Sequence, residues 1–291
     1  MTDTSIYHRH PPGLWSLYSK ALLPKTKPSG DELRIPGLST RLIGVSTAND
    51  NLKRYRKVCG FDTQANVPIT WPHILAFPLH LKLLTEKDFP LPLLGLVHLR
   101  NNITQHRAIG TGEALDITAR LDGQNNTSRG LEFDLVTEAW SAGRLVWEET
   151  STNLFRQPDK SKKASGDKPP ELPHYPETTD ISAAESIGRQ YAGVSGDRNP
   201  IHLHALTAKA FGFPRAIAHG MWSKARVLAL LEQQSGWRPD AISVSCQFKK
   251  PLFLPGTAQL NWQAGQEGWD YQLLNASGNA PHLSGEIRWE D

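Results

Sequence analysis

"YAGVSGDRNPIH", Tyr191 to His202, sets an aspartate, an asparagine and a histidine around an Asn-Pro step. Asn199 is suited to cap a helix and Pro200 to open it, because the N–H that proline lacks has no partner in a first helical turn anyway. His202 then falls in that turn, near the positive end of the helix dipole. Asp197 stays on the preceding loop, with Gly196 free to take a backbone conformation that other residues resist. The spacing therefore predicts that Asp197 and His202 face a common point.

A carboxylate and an imidazole, with reference pKa values of about 3.9 and 6.5, supply one strong acceptor and one group that exchanges a proton near neutrality. Together they can hold one water. Beside an activated carbon-carbon double bond, one group could remove a proton while the other delivered one to the adjacent carbon. Such general acid-base catalysis is worth roughly 10²- to 10⁴-fold. Charge developing on the neighbouring carbonyl needs fixed donors. "AIAHGMW", Ala216 to Trp222, puts Gly220 at or just before a helix start. There the N–H is unpaired and no side chain obstructs an oxygen, so Gly220 is the candidate oxyanion donor.

Each feature also has a plainer reading. D-x-N-P alone is an ordinary helix entry. His219 fits a satisfied histidine near the core, His204 a solvated one, and Tyr191 and Ser195 packing and turn-stabilising roles. Lys249 and Lys250 suit either the guarding of a strand end or the reception of a phosphate-bearing ligand. Asp197, Asn199 and His202 together, followed by His219-Gly220 at a later helix start, are what mark a site.

The flanking sequence sets the scaffold. "GMWSKARVLALLEQQ" carries Met221, Ala225, Leu228 and Leu231 on one helical face, with Gly236 as the expected stop. In "AISVSCQFK", Ile242, Val244, Cys246 and Phe248 alternate with polar residues, the period of a half-buried strand. Further strands are predicted around Ala258–Trp262, Tyr271–Leu274 and Leu283–Trp289, joined by turns that suit antiparallel pairing. "LVHLRNNITQHRAIGTGEALDITARL" (Leu96–Leu121) and "ISVSCQFKKPLFLPGTAQLNWQ" (Ile242–Gln263) share a succession of strand, basic or amide residues, apolar corner, glycine turn and strand. That points to a duplicated fold. In the first half, "TWPHILAFPLHLKLL" carries Pro72 near its start and Pro78 inside, so its helix is expected to be broken or kinked.

"RQPDKSKKASGDKPPELP" is charged, proline-rich and nearly free of apolar residues, as a solvated linker is. The expected organisation is a first domain at 1–156, a linker at 157–172 and a second domain at 173–291; the part up to about Phe61 has no assigned role. The 291 residues are 38% hydrophobic, enough for a real core. A net charge of +3 is too slight for a nucleic-acid binder. The apolar runs are shorter than a membrane span and no signal-peptide region opens the chain, so a cytoplasmic protein is expected. Cys59 and Cys246 suit reduced, buried thiols, and Cys and His do not cluster at ligand spacings, so no metal or redox cofactor is expected.

"YAGVSGDRNPIH" followed by "GFPRAIAHGMW" (Gly212–Trp222) resembles the signature of the MaoC-like dehydratases, the hydratase 2 family of (R)-specific enoyl-CoA hydratases. The resemblance implies an α+β double hot-dog fold, curved antiparallel sheets each wrapped around a helix, with a degenerate first unit. It implies Asp197 and His202 as the catalytic pair, Asn199 as the loop-ordering asparagine and Gly220 as the donor that polarises a thioester carbonyl. Ser195, Gly196, His219, Lys249 and Lys250 join them as loop-ordering or substrate-binding candidates. The first half has no G-D-x-N-P-x-H counterpart, so one active site is expected. The implied reaction interconverts trans-2-enoyl and (R)-3-hydroxyacyl thioesters carried on coenzyme A or acyl carrier protein, by a monomer of the double unit or a homodimer. Two other readings remain open at this point: a hot-dog thioesterase, distinguished by release of free thiol, and a non-catalytic acyl-thioester binder, which would have no use for an acid-base pair.

Overall fold

The computed structural model describes residues 4–21, 25, 33–157 and 171–290. The first half contains β1 (Ser5–His8), α1 (Leu14–Ala21), β2 (Ser39–Ser46), α2 (Asp50–Cys59), α3 (Trp71–Thr85), β3 (Leu96–Gln105), β4 (Ala114–Thr127), β5 (Gly130–Ser141) and β6 (Arg144–Arg156). The second contains β7 (Glu177–Ala183), α4 (Ile187–Ser195), a 3-10 turn (Pro200–His202), α5 (Ala205–Ala210), α6 (Gly220–Leu231), β8 (Ile242–Phe248), β9 (Gly256–Ala264), β10 (Gly268–Asn275) and β11 (Pro281–Trp289). The linker expected at 157–172 falls mostly on 158–170, outside the described residues.

All the named strands join one sheet, in the order β1-β2-β4-β5-β6-β3-β8-β11-β10-β9-β7. Read outward from its centre, the first half runs β3-β6-β5-β4-β2 and the second β8-β11-β10-β9-β7, the same order twice. The repeat suggested by the sequence is a repeat of topology. Each half inserts its long helix, α3 or α6, before its innermost strand. The two halves meet where β3 pairs antiparallel with β8, Arg100 opposite Gln247 and Gln105 opposite Ile242. Every other pairing is antiparallel too, except the outermost, where β1 runs parallel to β2. On β8 the alternation holds: Ile242, Val244 and Cys246 are buried.

Two expectations are corrected. The helix of the first half is not broken, since α3 runs from Trp71 through Pro78 to Thr85. An interior proline costs about 3 kcal/mol, yet all but Phe77 and Lys82 of this helix are buried. A buried leucine returns about 1.5–3 kcal/mol each, and Leu75, Leu79, Leu81, Leu83 and Leu84 outweigh the lost hydrogen bond. The second helix ends at Leu231, capped by Glu232, several residues before the expected stop at Gly236.

The initial segment, unassigned in the sequence, forms β1, α1, β2 and α2 against this framework. Leu17 of α1 is buried, and Asn51 of α2 donates to the Val194 carbonyl of α4 at 2.6 Å. Cys59 and Cys246 are buried and unpaired.

Beneath the junction lies a chain of buried polar groups. Lys224, in the middle of α6 and 0% exposed, donates to Asn101 Oδ1 at 2.5 Å and to the carbonyls of Asn101 and Val244 at 3.0 and 3.3 Å. Asn101 Nδ2 donates to Glu149 and to Ser151, and His73 of α3 closes the chain on Glu149 at 2.9 Å. Burial lowers the Lys224 ammonium to about 8. Burial would raise Glu149, but His73, with His80 and Asn101, more than offsets this and holds the carboxyl at about 2. Removing one member strands the others without water. Lys224→Met should therefore lower the unfolding free energy by about 3–5 kcal/mol, measured by urea denaturation against the wild type.

Candidate active site

The loop between α4 and α5 is set by local rules. Ser195 Oγ donates to the Tyr191 carbonyl at 2.8 Å and accepts from the Asp197 amide at 3.1 Å. Gly196 ends α4 in a left-handed cap, φ 81°, a conformation glycine adopts without steric cost. Asp197 Oδ1 accepts the Asn199 amide at 3.0 Å. Asn199 caps the turn Pro200–His202, a single 3-10 turn rather than the longer helix its sequence suggests. A Cβ on Gly188 would stand 1.9 Å from the His202 carbonyl, so α4 needs glycine there for the turn to approach.

This brings three ionisable side chains together, with ligand-capable atoms of Asp197, His202 and His219 all within 4.8 Å of one another. His202 is 8% exposed, and its Nδ1–H donates to the Ile217 carbonyl at 2.8 Å. That fixes the tautomer and leaves the Nε2 lone pair as the proton acceptor. His219 stacks on His202, ring centroids 3.7 Å apart. Its Nε2–H donates to the Asp197 carbonyl at 3.0 Å and stands 3.8 Å from Oδ2. The Asp197 side chain keeps 32% of its surface open to solvent.

Burial pulls His202 below its ordinary 6.5, against the opposing attraction of Asp197. His219 falls to about 3, through burial and the adjoining His202 ring. For Asp197 burial acts upward, but His219, His202 and the Asn199 amide prevail and hold it below 3.8. The resting site at neutral pH is one carboxylate beside two neutral imidazoles.

Gly220 opens α6 directly after His219, so its N–H has no acceptor within the helix. The Phe248 ring lies 3.0 Å from where a Cβ would stand, and packs on His98 with centroids 4.8 Å apart. Lys249 and Lys250 are exposed just past Phe248, and Lys249 Nζ donates to Gln247 Oε1. Exposed His204 precedes α5, and buried Tyr191 sits 4.9 Å from the His219 ring. No local pattern marks the Ile217 carbonyl, Gly188 or Phe248, which act through contacts between separate segments.

In the first half the matching places are filled. Trp71, not glycine, opens α3, and Arg56 donates to the carbonyls of Asp62, Gln64 and Asn66 in the loop that follows α2. No ligand spacing in the sequence foreshadowed metal-capable groups, but the fold assembles two among the described residues: Asp197 with His202 and His219, and His73 with His80 and Glu149. In the second, His73 is hydrogen-bonded to Glu149 and His80 to Thr137. No helix among the described residues is long and apolar enough to cross a membrane.

A duplicated sheet with a helix in each half, and one Asp-His loop facing a helix-start glycine, define a hot-dog dehydratase. The family profile described as MaoC like domain matches residues 165–274. The chain is 38% identical over 241 residues to 3-hydroxyacyl-thioester dehydratase X of Mycobacterium tuberculosis, covering 82% of this chain and 84% of that protein. The crystal structure of HtdX from the same organism superposes with a TM-score of 0.75 at 34% identity, over 87% of this chain and 100% of the other. A MaoC-like dehydratase from Phytophthora capsici shares the fold at 18% identity, TM-score 0.71, over 89% and 96% of the two chains. The chain belongs to the MaoC-like dehydratases and is a hydro-lyase of that family.

The stacked, desolvated pair carries a spectroscopic expectation. In ¹⁵N spectra of the ring nitrogens, His219 should stay neutral on acidification until about pH 3, and a titration near 6.5 would show that its ring is hydrated.

Proposed function

We propose that the chain reversibly hydrates trans-2-enoyl thioesters to (R)-3-hydroxyacyl thioesters, with Asp197 and His202 as the acid-base pair. The observation that carries this reading is the convergence of an ionised carboxylate and a neutral imidazole whose Nδ1–H is held by Ile217, beside a helix that opens on Gly220. Both groups are proton acceptors at rest, so one holds the water while the other takes its proton. The hydroxyl adds to C3, and the same proton passes to C2. In dehydration the proton leaves C2 and departs with the C3 hydroxyl as water. Gly220 N–H donates to the thioester oxygen as charge builds there. Asn199, Ser195, Gly196 and His219 hold the loop in place.

The thioester comes from the name of the Mycobacterium tuberculosis relative, and the (R) configuration from the family signature. Exposed Lys249 and Lys250 would meet the phosphates of a coenzyme A or acyl-carrier-protein arm. This chemistry requires no metal or redox cofactor. A cytoplasmic setting suits the two buried thiols, and a monomer suits a sheet whose inner edges already pair within the chain.

Loss of enoyl-thioester absorbance with a short and a long trans-2-enoyl-CoA tests the proposal. Asp197→Asn and His202→Ala should each lose at least about 10²-fold in kcat/KM while keeping wild-type circular dichroism. A wild type inactive on both coenzyme A and carrier-protein thioesters sinks it, and free thiol release means hydrolysis instead.

The pH dependence has a definite sign. A base whose pKa is lowered stays deprotonated to lower pH, so the acid limb of kcat/KM should centre below pH 6.5. A limb centred above 6.5 would show that His202 is not the desolvated base.

A further inference from the structure

Two of the hydrogen bonds that hold the backbone on either side of Asp197 come from the far end of the chain. Tyr18, on α1, donates its Oη–H to the Gly196 carbonyl at 2.8 Å and accepts the Arg198 amide on the same oxygen at 2.7 Å. One phenol thus bridges the residues on either side of the aspartate. The other restraints are internal to the second half: Ser195 on the Asp197 amide, His219 on its carbonyl and the Asn199 amide on its carboxylate.

The same helix also fits the loop sterically. Leu14 and Phe77, from α1 and α3, stand 2.8 and 3.4 Å from where a Cβ would be on Gly196. With φ at 81°, any side chain at this position would be strained and would press on Leu14. The Arg198 guanidinium lies 5.2 Å over the Trp15 ring, which is 75% exposed. Leu17 anchors α1 in the core, 2% exposed.

We propose that α1 is a clamp on the catalytic loop and that Tyr18 is a positioning residue for Asp197, holding the carboxylate in register with His202 through the Gly196 carbonyl and the Arg198 amide. This rests on the acid-base reading of Asp197 and His202. The role needs a hydroxyl that both donates and accepts, which phenylalanine cannot supply and which an ionised phenol would lose. Burial, followed by the neighbouring Asp197 charge, raises the Tyr18 pKa and keeps the phenol protonated. A misplacement of about 1 Å in an oriented pair costs up to about 10²-fold in rate, whereas substrate binding depends little on that register.

The test is Tyr18→Phe in the full chain, with Ser19→Ala, on the same helix but exposed, as control. The expected result is a kcat about 10- to 100-fold lower, a KM within about 3-fold of wild type, and faster hydrogen exchange at the Arg198 amide, with Ser19→Ala unchanged on all three. A kcat within twofold of wild type, or a loss that Ser19→Ala reproduces, overturns the clamp. The exchange measurement needs no turnover. If the wild type hydrates nothing, the acid-base reading fails, and the Arg198 amide still judges the clamp: faster exchange in Tyr18→Phe supports it and unchanged exchange overturns it.

Discussion

Antiparallel pairing of β3 with β8 joins two strands that would each otherwise present a row of unpaired N–H and C=O groups at a sheet edge. The rest of the molecule depends on that junction. It places α6 over the first half, so that Lys224 reaches the Asn101 carbonyl of β3 as well as the Val244 carbonyl of β8. It also brings α3 to the catalytic loop, where Phe77 faces Gly196, and α6 to the opposite loop, where a Cβ on Gly60 would collide with Arg226. Each half thus closes the loop of the other.

The duplicated scaffold carries unequal chemistry. Both α2 and α4 end in a left-handed glycine, Gly60 at φ 82° and Gly196 at φ 81°. Beyond Gly60, a guanidinium consumes the loop's carbonyls and a tryptophan opens the core helix. Beyond Gly196, the acceptors go to side chains that titrate, and a glycine opens the helix. One fold therefore gives a closed structural loop and a reactive one. The reactive loop is held by hydrogen bonds to its backbone, which leave the Asp197 Oδ2 and His202 Nε2 atoms available.

Much of the catalytic loop was legible because its rules are short-range. The Asn199 cap, the Pro200 position, the left-handed Gly196 and the alternation of β8 each depend on a few neighbouring residues. The unbroken α3 was misread for the complementary reason. The local penalty at Pro78 is visible in the sequence, while the burial that outweighs it comes from β2, β4 and β5, which pack against the helix. The metal-capable groups were hidden in the same way, since His73 and Glu149 are 76 residues apart. So was the contribution of the initial segment, whose Tyr18 meets residues 178 and 180 positions away.

The sequence by itself determined the repeat, the strand periodicities, the identity of the Asp-Asn-His loop and the helix-start glycine, because these follow from backbone preferences and side-chain spacing. Tertiary structure decided which of those groups lose water and what faces them. The stacking of His219 on His202, the Ile217 carbonyl that sets the tautomer and the contact of α1 with the loop all join segments distant in the chain. Protonation state depends on desolvation and on neighbours in space, so the chemistry of the site was fixed only when these segments packed together.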